Sequence, residues 1–302
     1  MQISHRVYLE RRSASLLQRF RRATLRWITP ALLLALAPGA PVAAQQLDLS
    51  TPPATWLRAA AANESRVIAE DGAVPLRFML QRRTDKGETT RDVIETPQGS
   101  VARTVAIDGH PLSPEQDTAE RERLTTLLQH PDDFRAHVRR NESARSYSQQ
   151  LIRSFPDAML ATYAPGQPQL PGVSAPQVVL DFTPNPAFHP PSMMTEALSG
   201  IEGRVWLDAH TRNVVRIEGH FRHAVDFGWG LVARIQEGGH VEFQQVELPD
   251  GRWTYGTLHS QLTIRELMVH TVQQHTDLHY SNFRILPPST TWQDAIRMLL
   301  AK

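Results

Sequence analysis

GIEGRVWLDAHTRNVVRIEGHF, residues 200–221, is the stretch that decides the fold class of this 302-residue chain. Two extended runs alternate apolar and polar side chains on either side of a turn at 209–213, which is typical of a hairpin of half-buried strands. One side of the hairpin is predicted to be dry and is formed by Val205, Leu207, Val215, Ile217 and Phe221. The other side is predicted to face water and carries Arg204, Asp208, Arg216 and Glu218. The stretch therefore predicts an antiparallel sheet with one apolar face.

Runs of the same kind extend in both directions from this hairpin. Strands are predicted downstream over 231–238, 240–248, 252–264 and 267–283, and upstream over 75–84, 88–99, 100–109, 158–163 and 177–183. In the run 252–264 the apolar phase shifts around Gly256, between Tyr255 and Leu258. A bulge at this glycine would explain the shift and would bend the sheet. The chain is thus expected to be mainly β, with a long, curled antiparallel sheet whose concave face is apolar.

Helical patterns occur in two places, one before the first strand and one between strands. An alanine-rich helix is predicted over 54–69. A charged helical insert is predicted over about 112–155, and it begins with a capping box formed by Ser113 and Gln116. These helices are available to plug the curled sheet, so residues 45–302 are expected to form a single β domain with a helical insert.

The second helix of the insert follows Pro131, which breaks the first helix. Asp132 is predicted to be its N-cap, because a short carboxylate side chain can accept from the free N–H groups of the first turn. Pro156 is predicted to end it, because proline cannot donate to the helical ladder.

The first 44 residues have the parts of a secretory signal peptide. A basic region with seven arginines precedes the apolar run WITPALLLALA at 27–37, and Val42 and Ala44 occupy the minus-three and minus-one positions of a signal-peptidase site. The apolar run is shorter than the roughly 20 residues that span a bilayer. We therefore expect export to the periplasm with cleavage after Ala44. The route is the general one or the twin-arginine one, which Arg21 and Arg22 suggest.

Composition excludes several classes of function for the mature chain. Without the seven arginines and the one glutamate of residues 1–44, the 32 basic and 31 acidic side chains become 25 and 30, a net charge of −5. This balance gives no basic footprint for nucleic acid. The chain has no cysteine, which excludes disulfides, thiol chemistry and a lipid-modified cysteine at the cleavage site. No second apolar segment is long enough to predict a transmembrane span in the mature chain.

The sequence lacks the common catalytic signatures. It has no phosphate loop, no HExxH helix, no GxSxG elbow and no dinucleotide fingerprint. We therefore expect a protein that is not an enzyme, with no catalytic residue and no cofactor.

A proline-rich stretch, LDFTPNPAFHPPSMM at 180–194, follows a predicted strand. Its four prolines fix the backbone and remove hydrogen-bond donors, so the stretch is expected to be a stiff, extended crossing. Phe188, Met193 and Met194 supply soft apolar contacts. The stretch is predicted to be a lid over the concave face. A plain strand-to-helix crossover packed on the core is the alternative.

Three segments carry a resemblance to a known family: VVLDFTPNPAFHPPS at 178–192, the opening stretch at 200–221, and GRWTYGTLHSQLTI at 251–264. They resemble the strand, lid loop, Gly-x-hydrophobic-hydrophobic-Asp hairpin and following strands of the periplasmic lipoprotein-localisation superfamily. That superfamily includes the LolA and LolB carriers, the outer-membrane lipoprotein-sorting proteins and the RseB-like regulators. The resemblance covers most of the mature chain and implies a half-open barrel plugged by helices.

The first functional hypothesis is an exported, non-catalytic binding protein for an acyl chain, a lipid or a lipoprotein, with a role in envelope biogenesis. Ligand contacts are predicted from the dry face, the lid and the start of the strand 252–264: Val205, Leu207, Val215, Ile217, Phe221, Phe188, Met193, Met194, Trp253 and Tyr255. The second hypothesis is an envelope regulator or assembly partner that acts by contact with another envelope protein.

The third hypothesis is a metal-dependent hydrolase. His275, Asp277 and His279 alternate along the last predicted strand, so their side chains lie on one face. Two imidazoles and a carboxylate could bind zinc with an open coordination position. The simpler interpretation is a solvent-facing polar edge without metal, because half-buried strands show such alternation anyway.

Export gives the first testable prediction. N-terminal sequencing of the protein recovered from the envelope fraction should begin at Gln45, because Val42 and Ala44 form the small-residue cleavage signal. Recovery of a chain that still starts at Met1 from the cytoplasm would contradict it.

Overall fold

The structure, a computed structural model, describes residues 47, 49–70, 73–228, 232–267 and 269–301. The predicted signal peptide at 1–44 lies outside these ranges. Within them, no helix has both the length and the apolar character that a membrane span requires.

Thirteen strands form one antiparallel sheet. They are β1 (Leu76–Thr84), β2 (Gly87–Thr96), β3 (Gly99–Ile107), β4 (His110–Pro111), β5 (Met159–Tyr163), β6 (Gln177–Pro184), β7 (Ile201–Asp208), β8 (Val214–Phe221), β9 (Val225–Phe227), β10 (Ala233–Ile235), β11 (His240–Glu247), β12 (Trp253–Glu266) and β13 (His270–Ile285). The order across the sheet is β4-β3-β2-β1-β13-β12-β11-β8-β7-β6-β5, and the short β10 pairs with β12 and β9. The path ends at β4 and β5 without closing, so the sheet is open. The prediction of a mainly antiparallel β fold is confirmed.

The helices of the described ranges accompany this sheet. They are α1 (Pro53–Glu70), α2 (Pro114–Gln129), α3 (Pro131–Ala158), a 3-10 helix (Met193–Ser199) and α4 (Trp292–Leu300). α2 and α3 occupy the connection between β4 and β5. The capping box of α2 is present as predicted, with the Ser113 hydroxyl accepting from the Gln116 backbone N–H.

Two predicted boundaries of α3 are wrong. Its N-cap is His130 rather than Asp132, because a single residue separates the two helices and Pro131 already has a helical conformation. Pro156 lies inside the last turn, and the helix continues to Ala158. A proline so close to the end removes one backbone hydrogen bond, and Ala158, the last helical residue, is buried in the core.

The pairing register defines two faces of the central strands. On one face, four side chains of β8, β11, β12 and β13 lie in line across the sheet and are each partly exposed; this apolar row consists of Ile217, Phe243, Leu258 and Leu278. Because successive side chains of a strand point to opposite faces, the neighbours of these residues form a row on the other face. This polar row consists of Glu218, Glu242, His259 and Asp277.

α1 packs on the face of the apolar row, at one end of the sheet. Its residues at four-residue spacing form one buried stripe, which includes Trp56, Ala60 and Glu64. Three side chains of α1, Trp56, Leu57 and Ala60, form a core with alternate residues of β6 and β7: Val178, Leu180, Phe182, Val205 and Leu207. Each fully buried leucine or phenylalanine side chain contributes about 1.5–3 kcal/mol to stability. This cluster therefore fixes α1 to the sheet.

α4 packs on the opposite face. Val93 and Ile94 are consecutive in β2, and Val93 packs with Phe78 on the side of the apolar row. Ile94 is fully buried under α4, in a cluster with Leu124, Phe134, Trp292, Ala295, Ile296 and Leu299. The rings of Phe134 and Trp292 stack at 4.2 Å between centroids. The sheet is thus covered by helices on both faces, at different places.

One predicted member of the dry face points the other way. Val215 packs with Trp206 and Val179, whereas Val205 and Leu207 pack under α1. The register shifts between Trp206 and Leu207, where β8 has one extra residue. A bulge of this kind changes the phase of the alternation. The prediction that Val215 shares a face with Val205 is therefore wrong.

The cluster under α4 gives a prediction of stability. Trp292→Ala should lower the free energy of unfolding by about 3–5 kcal/mol, because it leaves a cavity beside Phe134. Tyr147→Ala is the control, since that aromatic side chain of α3 is 53% exposed; it should change stability by less than about 0.5 kcal/mol. Urea unfolding followed by circular dichroism measures both, and equal effects would show that α4 does not stabilise the sheet.

Candidate functional site

Most of the predicted ligand-binding residues on the dry face are core residues. Val205 and Leu207 are 2% and 0% exposed beneath Trp56 and Leu57 of α1. Phe221 is buried in a separate cluster with Val225 and Ile235. A ligand could reach the first two only by displacing α1. Ile217 differs, because it is partly exposed in the apolar row.

The proline-rich stretch is fastened to the end of α3. The Asn185 backbone N–H donates to the Ala158 carbonyl oxygen at 2.8 Å, and its side-chain amide donates to the Asp157 carbonyl oxygen at 3.0 Å. Phe188 is partly buried against the core under α1. Met193 and Met194 are 47% and 37% exposed. The stretch is therefore packed at one end, and its lid function stays a prediction.

Trp253 and Tyr255, the remaining predicted contacts, line an open cavity of about 260 Å³. α1 supplies one wall through Val67, and Leu76 and Leu248 supply further apolar surface. Charged side chains lie around it: Arg66, Glu70, Glu95 and Arg252. Sites for small ligands combine an apolar wall with a few polar groups, and here four charged side chains surround the apolar wall.

An aromatic strip connects this cavity with the apolar row. The Tyr255 ring lies 5.3 Å from the Phe243 ring and 6.1 Å from the Tyr280 ring, measured between centroids. All three side chains are partly exposed. Gly256 is the extra residue of a bulge in β12, and this bulge brings Tyr255 to the same face as Phe243. Only glycine fits at this position without rearrangement, because a Cβ would lie 2.9 Å from a methyl group of Val246. The predicted phase shift at Gly256 is confirmed.

A buried carboxyl group lies beside the cavity. Glu64 is one turn before Val67 in α1, and its side chain accepts a hydrogen bond of 2.7 Å from the Gln245 amide. Burial raises the pKa of Glu64 to about 7, and the hydrogen bond from Gln245 opposes this only in part. Gln245 Oε1 is buried without a hydrogen-bond partner in the described part of the chain. A protonated carboxyl can donate to such an acceptor, so the pair fits best when Glu64 is neutral.

A different group of polar side chains converges on the opposite face. His259, His275 and Asp277 offer nitrogen and oxygen atoms that all lie within 4.8 Å of one another. His259 Nδ1 hydrogen bonds to Asp277 Oδ1, and His275 Nε2 lies 3.1 Å from Asp277 Oδ2. Partial burial by itself raises the pKa of Asp277, but the hydrogen bond from His259 and the neighbouring histidines outweigh it and hold that pKa below its usual value.

The predicted set of His275, Asp277 and His279 does not converge in this way. His275 approaches Asp277 although the two are separated by one residue of β13, whereas the side chain of His279 is exposed and is not among those that converge. His259 of β12 lies directly opposite Asp277 and therefore takes the place assigned to His279. Knowledge of the pairing between β12 and β13 would have identified it.

Comparisons of the chain with protein-family models, with curated proteins and with solved structures give no match. The function of these sites therefore has to be argued from their geometry and chemistry.

The raised pKa of Glu64 predicts a pH-dependent stability. Below pH 4.5 the carboxyl is neutral in both the folded and the unfolded chain, and the stabilising effect is complete. As the pH rises through about 7, the folded chain must ionise a buried group, and up to about 3 kcal/mol of stability is lost. Glu64→Gln should remove this loss, because glutamine does not ionise.

The measurement is urea unfolding of wild type and variant at pH 5 and pH 8. The free energy of unfolding of Glu64→Gln should exceed that of wild type by more at pH 8 than at pH 5. Glu70→Gln, at an exposed position of the same helix, is the matched control. Its difference from wild type in free energy of unfolding should be the same at both pH values. A constant difference between wild type and Glu64→Gln at both pH values would contradict the prediction.

Proposed function

We propose that the protein binds the acyl chain of an amphiphile in the cavity between α1 and β12, with the chain continuing along the aromatic strip. The single observation that carries this proposal is the cavity of about 260 Å³ lined by Trp253 and Tyr255, two residues that the sequence pattern also selects. The charged side chains at Arg66 and Arg252 would lie near a polar head group. Val205 and Leu207 pack against α1 as core residues and do not contact the ligand in this proposal.

An acyl chain suits these surfaces better than a compact ligand. The cavity continues into a line of partly exposed apolar side chains, from Tyr255 through Phe243 to Leu258. Such a line matches an elongated, flexible occupant. Isolated exposed apolar residues are ordinary on protein surfaces, but a contiguous strip that opens from a cavity is a feature of binding sites.

The free energy of transfer supports a useful affinity. Each buried methylene contributes about 0.8 kcal/mol, so about 14 methylenes contribute about 11 kcal/mol. Association costs at least about 4 kcal/mol in lost translational and rotational freedom. The remainder of at most about 7 kcal/mol corresponds to a dissociation constant no lower than about 10 μM. Chains too short to extend beyond the cavity should therefore bind much more weakly.

The cellular setting belongs to the same proposal. The signal-peptide pattern supports export to the periplasm, and the resemblance to the lipoprotein-localisation superfamily supports a non-catalytic role in the cell envelope. The ligand would then be a lipid or the acylated end of a lipoprotein.

Charge substitutions in the cavity wall test the proposal. Val67→Glu should weaken binding of a fluorescent fatty acid at least tenfold, because an unpaired carboxylate in an apolar wall is strongly disfavoured. Ala62→Glu is the matched control, since it adds the same charge to an exposed position of the same helix. Titration of the probe's emission, with folding checked by circular dichroism, measures both variants.

Competition by unlabelled fatty acids of increasing length extends the test. Affinity should rise with chain length until the strip is filled. If wild type shows no saturable binding, or if Val67→Glu and Ala62→Glu bind equally well, the cavity is not an acyl site.

A further inference from the structure

The face opposite the proposed acyl site carries three neighbouring side chains of types that can bind a metal ion, His259, His275 and Asp277. Directly opposite pairing places Asp277 of β13 beside His259 of β12, and alternation places His275 on the same face as Asp277. The rings of His259 and His275 meet edge to face at 5.3 Å between centroids. Three potential ligands are thus positioned by the backbone ladder of two long strands, which is a more rigid support than a loop.

The contacts of these side chains fit a shared cation. His275 Nε2 is shielded from solvent and makes no hydrogen bond of good geometry, although Asp277 Oδ2 lies 3.1 Å away. His259 contacts the other oxygen of the same carboxylate. A cation placed among the three groups would accept a lone pair from each imidazole nitrogen and would be attracted by the negative charge of Asp277.

Two neighbouring charged side chains, Arg83 and Glu242, are already paired with other groups. Arg83 of β1 is the register partner of Asp277, but its guanidinium donates to Glu88 at 2.7 and 2.9 Å. Glu242 is the register partner of His259, and it forms an ion pair of 2.8 Å with Arg216. The Asp277 carboxylate is therefore left to the two histidines.

We propose that His259, His275 and Asp277 bind a zinc ion that cross-links β12 and β13. Two imidazoles and one carboxylate form a ligand set that zinc accepts in tetrahedral geometry, with the fourth position taken by water or another side chain. His240 is a further candidate on the same face, because its ring lies 6.0 Å from the His259 ring. This site lies on the opposite face from the acyl site and does not depend on it.

Zinc titration of the purified protein, without a histidine tag, tests the proposal. Isothermal calorimetry should give about one zinc per chain, and His259→Ala and Asp277→Asn should each weaken binding at least tenfold. His279→Ala is the matched control, because this exposed histidine follows two residues after Asp277 on the same face; it should bind zinc as wild type does.

A second readout does not depend on heats of binding. Saturating zinc should raise the melting temperature of wild type and of His279→Ala by about 5 °C, through preferential binding to the folded chain. Cobalt substituted for zinc should give the visible absorption of a tetrahedral ion, which is absent in His275→Gln. The thermal shift and the cobalt absorption should both be lost in the ligand variants and kept in His279→Ala. A variant that is too unstable for one of these measurements can be assessed by the other.

Two results would overturn the proposal. The first is wild-type protein that shows neither saturable zinc binding nor a thermal shift, which would leave the two histidines in contact with Asp277 without a metal. The second is loss of zinc binding in His279→Ala as large as in His259→Ala, which would place the metal elsewhere on the strand.

Discussion

The pairing register between β12 and β13 is the constraint on which both candidate sites depend. The two strands, 14 and 16 residues long, are the longest in the sheet. Their pairing sets Leu258 opposite Leu278 and His259 opposite Asp277. A slip of one residue would exchange the faces of every side chain on the slipped strand. It would place carboxylate and imidazole groups on the apolar side and expose leucines on the other, so burial selects this register strongly.

α1 determines how much of the apolar face remains available. Its buried stripe packs on Val205 and Leu207, which are core residues. Its later turns reach β11 and β12, because Glu64 hydrogen bonds to Gln245 and Val67 lines the cavity with Tyr255. The cavity occurs where the helix ends. Glu64 makes this arrangement sensitive to pH, because ionising it places a charge between α1 and the sheet beside that cavity. The helix is thus held to the sheet by its buried stripe, and near the cavity also by the hydrogen bond between Gln245 and Glu64.

Alternation in the sequence predicts most of the strands, because a half-buried strand must place apolar and polar side chains in turn. It does not predict the face of Val215, since the bulge in β8 adds one residue that no local pattern marks. α4 is not predicted either, although Thr291 and Asp294 form a capping box there. His259 is missed for another reason: its partnership with Asp277 is a property of strand pairing, and periodicity along one strand carries no information about the next.

Placing two chemically different sites on the same pair of strands has a structural consequence. Leu258 and His259 are neighbours in sequence, as are Asp277 and Leu278, so each strand contributes one residue to each face at this point. The two sites therefore share a backbone but no side chain. A substitution on one face leaves the groups on the other in position, whereas a change in the hydrogen-bonded ladder would disturb both. The ladder can hold an apolar surface and a polar ligand set at once because the sheet separates them by its own thickness, which keeps the carboxylate of Asp277 out of the apolar environment that would disfavour its charge.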